Sequence, residues 1–152
     1  MADPAVRLIG MRIHQTGVEQ DITLACVDPW GRAVDVPTTM SYEQGDPYAV
    51  TLTFHAASGD VIWMMARELL LQGLTSPAGD GDIRVFPSID EDASAVTVLD
   101  FSSPNGHLVG QAPTRELQEF VAETIAVVPV GDEGGFLDLD ALAEALLNSA
   151  AQ

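Results

Sequence analysis

Apolar and polar positions alternate along most of this chain, in short runs broken by glycine, proline and aspartate. From Asp21 to Val27 the residues Ile22, Leu24 and Cys26 share one face. That period of two is the mark of a half-buried strand. Asp28-Pro29-Trp30-Gly31 then has aspartate first, proline second and glycine fourth, the order of a type I turn. A second strand is expected over Ala33 to Tyr42, broken near Pro37, because proline cannot donate to a ladder and belongs at an edge or bulge. Tyr48 to Ala56 has the clearest alternation, with Val50, Leu52 and Phe54 against Thr51, Thr53 and His55. Ser58-Gly59-Asp60 turns the chain, and Val61 to Met65 should pair back as a hairpin.

The pattern then changes. Ala66 to Gln72 is rich in helix formers, and Gly73 reads as a C-terminal stop. Leu74 to Asp82 reads as a loop. Strands are expected at Ile83 to Phe86, at Ala95 to Phe101 and at His107 to Ala112, the last two joined by a hairpin at Asn105-Gly106. Thr114 is a candidate N-cap for a helix carrying Leu117, Phe120, Val121 and Thr124, stopped by Pro129 and Gly131. A last helix should start near Asp138, with Leu139, Leu142, Ala143, Leu146 and Leu147 in one stripe. Strands, one short helix, more strands and two C-terminal helices predict an α+β fold with antiparallel sheets. Residues 1–17 stay open between a short strand of Val6, Leu8, Met11 and Ile13, a loose extension, and an alternative start at residue 11.

A chain of 152 residues suits one domain and can bury a core without staples. The net charge is −17, from 23 acids and 6 bases, and all the bases are arginine: Arg7, Arg12, Arg32, Arg67, Arg84 and Arg115. Without lysine, lysine-based catalysis and the phosphate loop of nucleotide triphosphatases are excluded. The charge repels nucleic acid and anionic lipid alike. The N-terminal residues lack the apolar block of a signal peptide. The longest apolar run, residues 61–66, is far short of the roughly 20 residues needed to cross a bilayer. A cytoplasmic protein is expected.

Catalytic motifs are missing. Gly79-Asp80-Gly81-Asp82 lacks the third glycine of a dinucleotide fingerprint and precedes a strand, not a helix. The acid pairs and triplets at Asp80/Asp82, Asp90/Glu91/Asp92 and Asp132/Glu133 lack calcium-loop spacing and read as solvated loops. His14, His55 and His107 lack zinc-site spacing, although His55 and His107 both fall on expected strands and could meet. Cys26, the single cysteine, reads as a small buried hydrophobe. Phe54 and Trp63 read as core. Trp30, in a polar turn, is a candidate contact residue. No catalytic residue, cofactor or metal is assigned.

Several segments together resemble the SsgA-like sporulation and cell-division proteins of actinomycetes. They are Asp46-Pro-Tyr-Ala-Val50, Phe54-His55, Trp63-x-x-Ala-Arg-x-Leu-Leu70 with Gly73-Leu74, Gly79-x-Gly-Asp-Ile-Arg-Val-x-Pro87, Ser102-Ser-Pro-x-Gly106, Ala112-Pro113 and Phe136-Leu-Asp-Leu139. The resemblance covers about residues 19–149, so residues 1–18 are expected to be an N-terminal extension and 19–152 a single SsgA-like domain. It implies two packed antiparallel sheets with C-terminal helices, similar to the whirly single-stranded nucleic-acid-binding fold, assembled as a homotrimer. It also implies a non-catalytic regulator that helps place the tubulin-like GTPase FtsZ at septa, with an SsgA-type relative or a membrane-associated division protein as a further partner. FtsZ is expected to be acidic, so contact should rest on apolar patches. A single-stranded nucleic-acid-binding module is the alternative that the whirly likeness raises, and the charge argues against it. The C-terminal helices and sheet edges are open to a part in trimerisation, though covering the core is the plainer role.

Overall fold

The computed structural model describes residues 10–28, 30–137 and 139–150. Eight strands precede or flank three helices: β1 (Met11–His14), β2 (Gly17–Val27), β3 (Ala33–Glu43), β4 (Ala49–Ala56), β5 (Gly59–Ala66), α1 (Arg67–Gly73), β6 (Ile83–Ile89), β7 (Ala95–Ser103), β8 (Gly106–Pro113), α2 (Thr114–Val127) and α3 (Leu139–Ala150). A short 3-10 turn spans Glu133–Phe136. The α+β class and the antiparallel pairing follow the sequence pattern.

The two expected sheets are joined into one. Its order is β5-β4-β3-β2-β8-β7-β6, with β1 beside β2. The seam between the halves is only two residue pairs wide, Ala25 with Gln111 and Cys26 with Gly110. There a Cβ on Gly110 would lie 2.9 Å from Cys26 Sγ and 3.3 Å from Leu24 Cβ. Glycine lets the two backbones approach where the sheet turns on itself. The fold-back is visible in the aromatic core. Phe54 of β4 and Trp63 of β5 both meet the Phe101 ring of β7 edge-on at 5.3 Å, across strands that are not neighbours in the sheet. Alternation on β2 and β4 buries Leu24, Val50, Leu52 and Phe54 in the space between the halves, and Leu117, Phe120 and Val121 of α2 complete it.

Local predictions hold with informative exceptions. β1 pairs with β2, and Val18 is fully buried, so the boundary at residue 18 falls inside the sheet. Val6 and Leu8 lie outside the described residues, as does Pro29. β3 is not broken at Pro37. It runs through, paired to β2 along its whole length, while its ladder with β4 covers only Thr38–Ser41. Pro37 therefore sits just beyond that ladder, where a donor is not needed. The turn between β7 and β8 is Pro104-Asn105, one residue earlier than expected, because Ser103 pairs with Gly106. Thr114 does not cap α2. It is the first helical residue, and its hydroxyl bonds Thr97 Oγ1 at 2.9 Å instead. Gly73 is inside α1, and a Cβ there would lie 2.2 Å from Val85 Cγ1. Its small size serves helix-on-strand packing, not a left-handed cap.

Both helices flanking the core gather at one end of the curled sheet. The turns at 57–58 and 104–105 lie at the opposite end. The β2–β3 hairpin runs past the start of the β3–β4 ladder, so its turn projects at that same open end. α3 does not cover the core as expected: Ala143, Leu146 and Leu147 are exposed. Asp138 and the side chains of Leu139 and Leu142 lie outside the described residues.

Candidate functional site

Three places on this frame carry more chemistry than packing requires. The first is a polar ladder across the outer face. Arg12 of β1 donates to Asp21 Oδ2 at 2.9 Å and to Glu19 Oε2 at 3.0 Å. Thr39 of β3 donates its hydroxyl to Asp21 Oδ1 at 2.9 Å. His55 Nε2 lies 2.8 Å from Thr39 Oγ1, and His55 Nδ1 lies 3.0 Å from Asp60 Oδ1. The ladder thus crosses five strands and borders a shallow hollow of about 750 Å³. Arg12 holds the Asp21 carboxyl below the ordinary carboxylate range, helped by Thr39 and His55.

Thr39, His55 and Asp60 stand in the order of nucleophile, base and orienting acid. The arrangement is poorly suited to turnover. The Thr39 hydroxyl is shared with Asp21, which competes for its one proton. The His55 and Asp60 side chains are 42% and 56% exposed, so the face does not exclude water. His107 pairs with Asp100 and His14 with Glu43. His55 and His107 do not meet. Among the described residues no group of three or more metal-ligating side chains converges. Cys26 is buried, and burial raises its thiol pKa, away from nucleophilic use. Asp90 is engaged in its own turn, accepting from the backbone N–H groups of Asp92 and Ser94.

The second place is a buried arginine. Arg67, at the start of α1, is 2% exposed. Its Nη1 donates to the carbonyls of Thr124 (3.1 Å) and Val128 (2.6 Å), and its Nη2 donates to Glu133 Oε2 at 3.1 Å. The guanidinium lies 4.9 Å over the Tyr42 ring. Glu133 is held below its ordinary range first by its own backbone N–H, then by Arg67 and the N–H of Gly131. Arg67 so ties α1, the end of α2, β3 and the 3-10 turn together. It is a fastener. The other described arginines are paired too: Arg32 with Asp28, Arg84 with Asp100, Arg115 with Glu119, and Arg12 as above.

The third place is the open end. Val36, Phe54, Val61, Trp63, Phe101 and Leu108 line an apolar cleft of about 530 Å³ between the sheet halves. Phe54 and Trp63 are thus core residues, as expected, and also its floor. Trp30 projects at this end and is 78% exposed, with Arg32 stacked 5.3 Å from its ring. The Asp28 carboxylate fixes the turn by accepting from the backbone N–H groups of Trp30 and Arg32. Beside the cleft, Ile62 and Met64 of β5 point out of the opposite face and are exposed. Sequence reasoning read Val61 to Met65 as a hairpin partner, with Trp63 in the core, and saw no contact surface there. The signal that could have found more was an apolar run on both parities, where a half-solvated strand alternates.

This antiparallel sheet curled on itself, with helices at one end, has the overall fold of solved sporulation and cell-division proteins. Residues 36–133 match the family described as Streptomyces sporulation and cell division protein, SsgA, and the chain belongs to it. Within that family the sequence resemblance points to SsgB. The sporulation-specific cell division protein SsgB of Frankia casuarinae is 37% identical over 86% of this chain and 92% of its own. A solved SsgB structure tied to longitudinal cell division in sporulating Streptomyces coelicolor superposes with a TM-score of 0.74 at 38% identity, over 82% of this chain and 98% of that one. The SsgA-like sporulation-specific protein of Thermobifida fusca gives 0.76 at 31% identity, over 88% and 98%. These relatives connect the chain to cell division during sporulation.

Proposed function

We propose that this chain is a non-catalytic regulator of sporulation-specific cell division that helps position FtsZ at septation sites. The observation that carries the reading is the open end: an exposed Trp30 and an apolar cleft on a protein of a sporulation and cell-division family. An apolar mouth is a contact surface that works against an acidic partner, where bulk charge would repel. In this reading the chain is a homotrimer, as the family resemblance implies, and several weak sites on one body then add up along a filament. An SsgA-type relative or a membrane-associated division protein provides the link to the septum. The protein works from the cytoplasm; among the described residues no helix is long and apolar enough to cross a membrane.

The whirly likeness is what the family resemblance implies for the fold, and it carries no nucleic-acid function. A single-strand binder needs free cations along a groove with stacking aromatics. Here each described arginine already has a carboxylate within 4.0 Å. Fold alone does not carry activity.

The test is co-sedimentation of the purified protein with FtsZ polymers, with and without GTP, at moderate salt. GTP-dependent pelleting that weakens in Trp30→Ala supports the reading. A protein that stays monomeric, does not pellet and leaves septation unchanged when its gene is deleted refutes it.

A further inference from the structure

The two ends of the curled sheet are unequally guarded. At one edge, β6 carries Pro87 and Arg84, and Ala78 bridges to Val85 through both backbone bonds, at 2.8 and 3.0 Å. Proline, charge and a covering loop are the usual devices against unwanted strand pairing. At the other edge, β5 pairs only with β4 among the described residues. It contains no proline, no basic residue and one acid, Asp60. Val61, Ile62 and Met64 are 48%, 65% and 54% exposed. Val61 and Trp63 face the cleft while Ile62 and Met64 face the other way. Acids mark both ends of this apolar stretch, Asp60 before it and Glu68 at the start of α1.

We propose that the β5 edge binds an extended partner segment as an added strand, and that this segment is a short continuous apolar run bounded by basic residues. Main-chain hydrogen bonds to the free edge give the affinity. Because both faces of β5 are apolar, the added strand is apolar on both parities, unlike a half-solvated strand. The basic ends answer Asp60 and Glu68 and a chain of net charge −17. The same charge works against a second copy of this chain in that place. The inference rests on the reading that the protein acts by binding, and names what one of its surfaces takes.

The probe is a labelled peptide of alternating valine and isoleucine between lysine pairs, followed by fluorescence anisotropy and by amide NMR shifts on the full chain. Saturable binding with shifts confined to β5, β4 and the cleft is expected. The double variant Ile62→Lys with Met64→Lys should keep its melting temperature and bind about tenfold more weakly or worse. Should that variant lose its fold, Asp60→Asn with Glu68→Gln serves instead, and binding should lose its salt dependence. Equal binding of a peptide ending in glutamates, shifts away from β5, or unchanged binding in a folded lysine variant overturns the proposal. So does concentration-dependent self-association abolished by the lysine variant, which would give the edge to a second copy. FtsZ pelleting that survives in the lysine variants, with no peptide binding to the parent, sinks this inference and leaves the proposed function standing. Peptide binding without FtsZ pelleting does the reverse.

Discussion

Replacing Arg67 by methionine keeps most of the side-chain volume and removes the charged fork. The carbonyl of Val128 then loses its 2.6 Å donor inside the protein, since Val128 is fully buried. The carbonyl of Thr124 keeps the N–H of Val128 at 2.9 Å, so it contributes little to the loss. An orphaned bond from a charged donor costs roughly 1.5–3 kcal/mol. The guanidinium over Tyr42 adds about 1 kcal/mol in a site largely shielded from water. Apolar contacts of the methionine offset a part, leaving a net loss of about 3 kcal/mol. In a chain of this size that is a fall in Tm of about 6–12 °C.

Urea unfolding followed by circular dichroism, at fixed pH and salt, measures it. Arg67→Lys should fall between methionine and the parent, because one ammonium cannot span Val128 and Glu133 as the fork does. A methionine variant within about 0.5 kcal/mol of the parent refutes the reasoning. A lysine variant as stable as the parent would show that charge suffices and the fork is not what holds the helices.

Two further perturbations test other parts of the frame. Gly73→Ala places a Cβ 2.2 Å from Val85 Cγ1 and 2.9 Å from the Val85 carbonyl, so despite the better helix propensity of alanine it should destabilise by about 1–2 kcal/mol. Thermal unfolding of Gly73→Ala, Val85→Ala and the pair should show coupling of about 1 kcal/mol or more, and a Gly73→Ala protein more stable than the parent would contradict the packing argument. Asp21 is held below its ordinary range in the folded state, so its contribution is present above the unfolded carboxylate pKa and is lost as pH falls through the lower folded value. The pair with Arg12 is half exposed, so the effect is less than about 1 kcal/mol. Stability profiles of the parent and Asp21→Asn should therefore differ at pH 6–7 and converge by about pH 2–3; parallel profiles would show that the ladder adds nothing.

Much of this fold is legible locally. The alternation in β4, the Asp28–Gly31 turn and the apolar face of α2 all appear where the residues put them, because a period or a turn chemistry decides each within a few positions. The turn even closes with the N–H of Gly31 on the carbonyl of Asp28, at 2.9 Å. What escapes is decided between distant segments. Nothing near Thr114 says that its hydroxyl will meet Thr97 and not cap a helix. Nothing near Gly73 says that Val85 will lie against it. The joining of two sheets into one rests on two residue pairs around Gly110, too few to leave a pattern. The ladder from Arg12 to Asp60 draws its residues from five strands, two of them from β2, so register alone assembles it. Arg67 did leave a trace. It stands three residues before Leu70 and seven before Leu74, on the buried stripe, and a charge on such a stripe calls for a partner.

The charge balance and the exposed apolar edge explain one another. Five of the six arginines are described, and each sits on a carboxylate of the same chain. The bases are thus spent on fastening strands and helices, and the remaining acids leave the surface of one sign. Such a surface opposes pairing between copies that no specific interface holds. A bare strand with Val61, Ile62 and Met64 in water would otherwise invite pairing between copies. Long-range repulsion lets that edge stay open without proline or lysine to guard it, while a partner segment that brings its own positive ends is drawn in. The β6 edge, facing the same solvent, is guarded by Pro87 and the Ala78 bridge all the same. Charge alone was therefore not left to protect every edge, and among the described residues β5, without proline, basic residue or covering bridge, adjoins the apolar cleft.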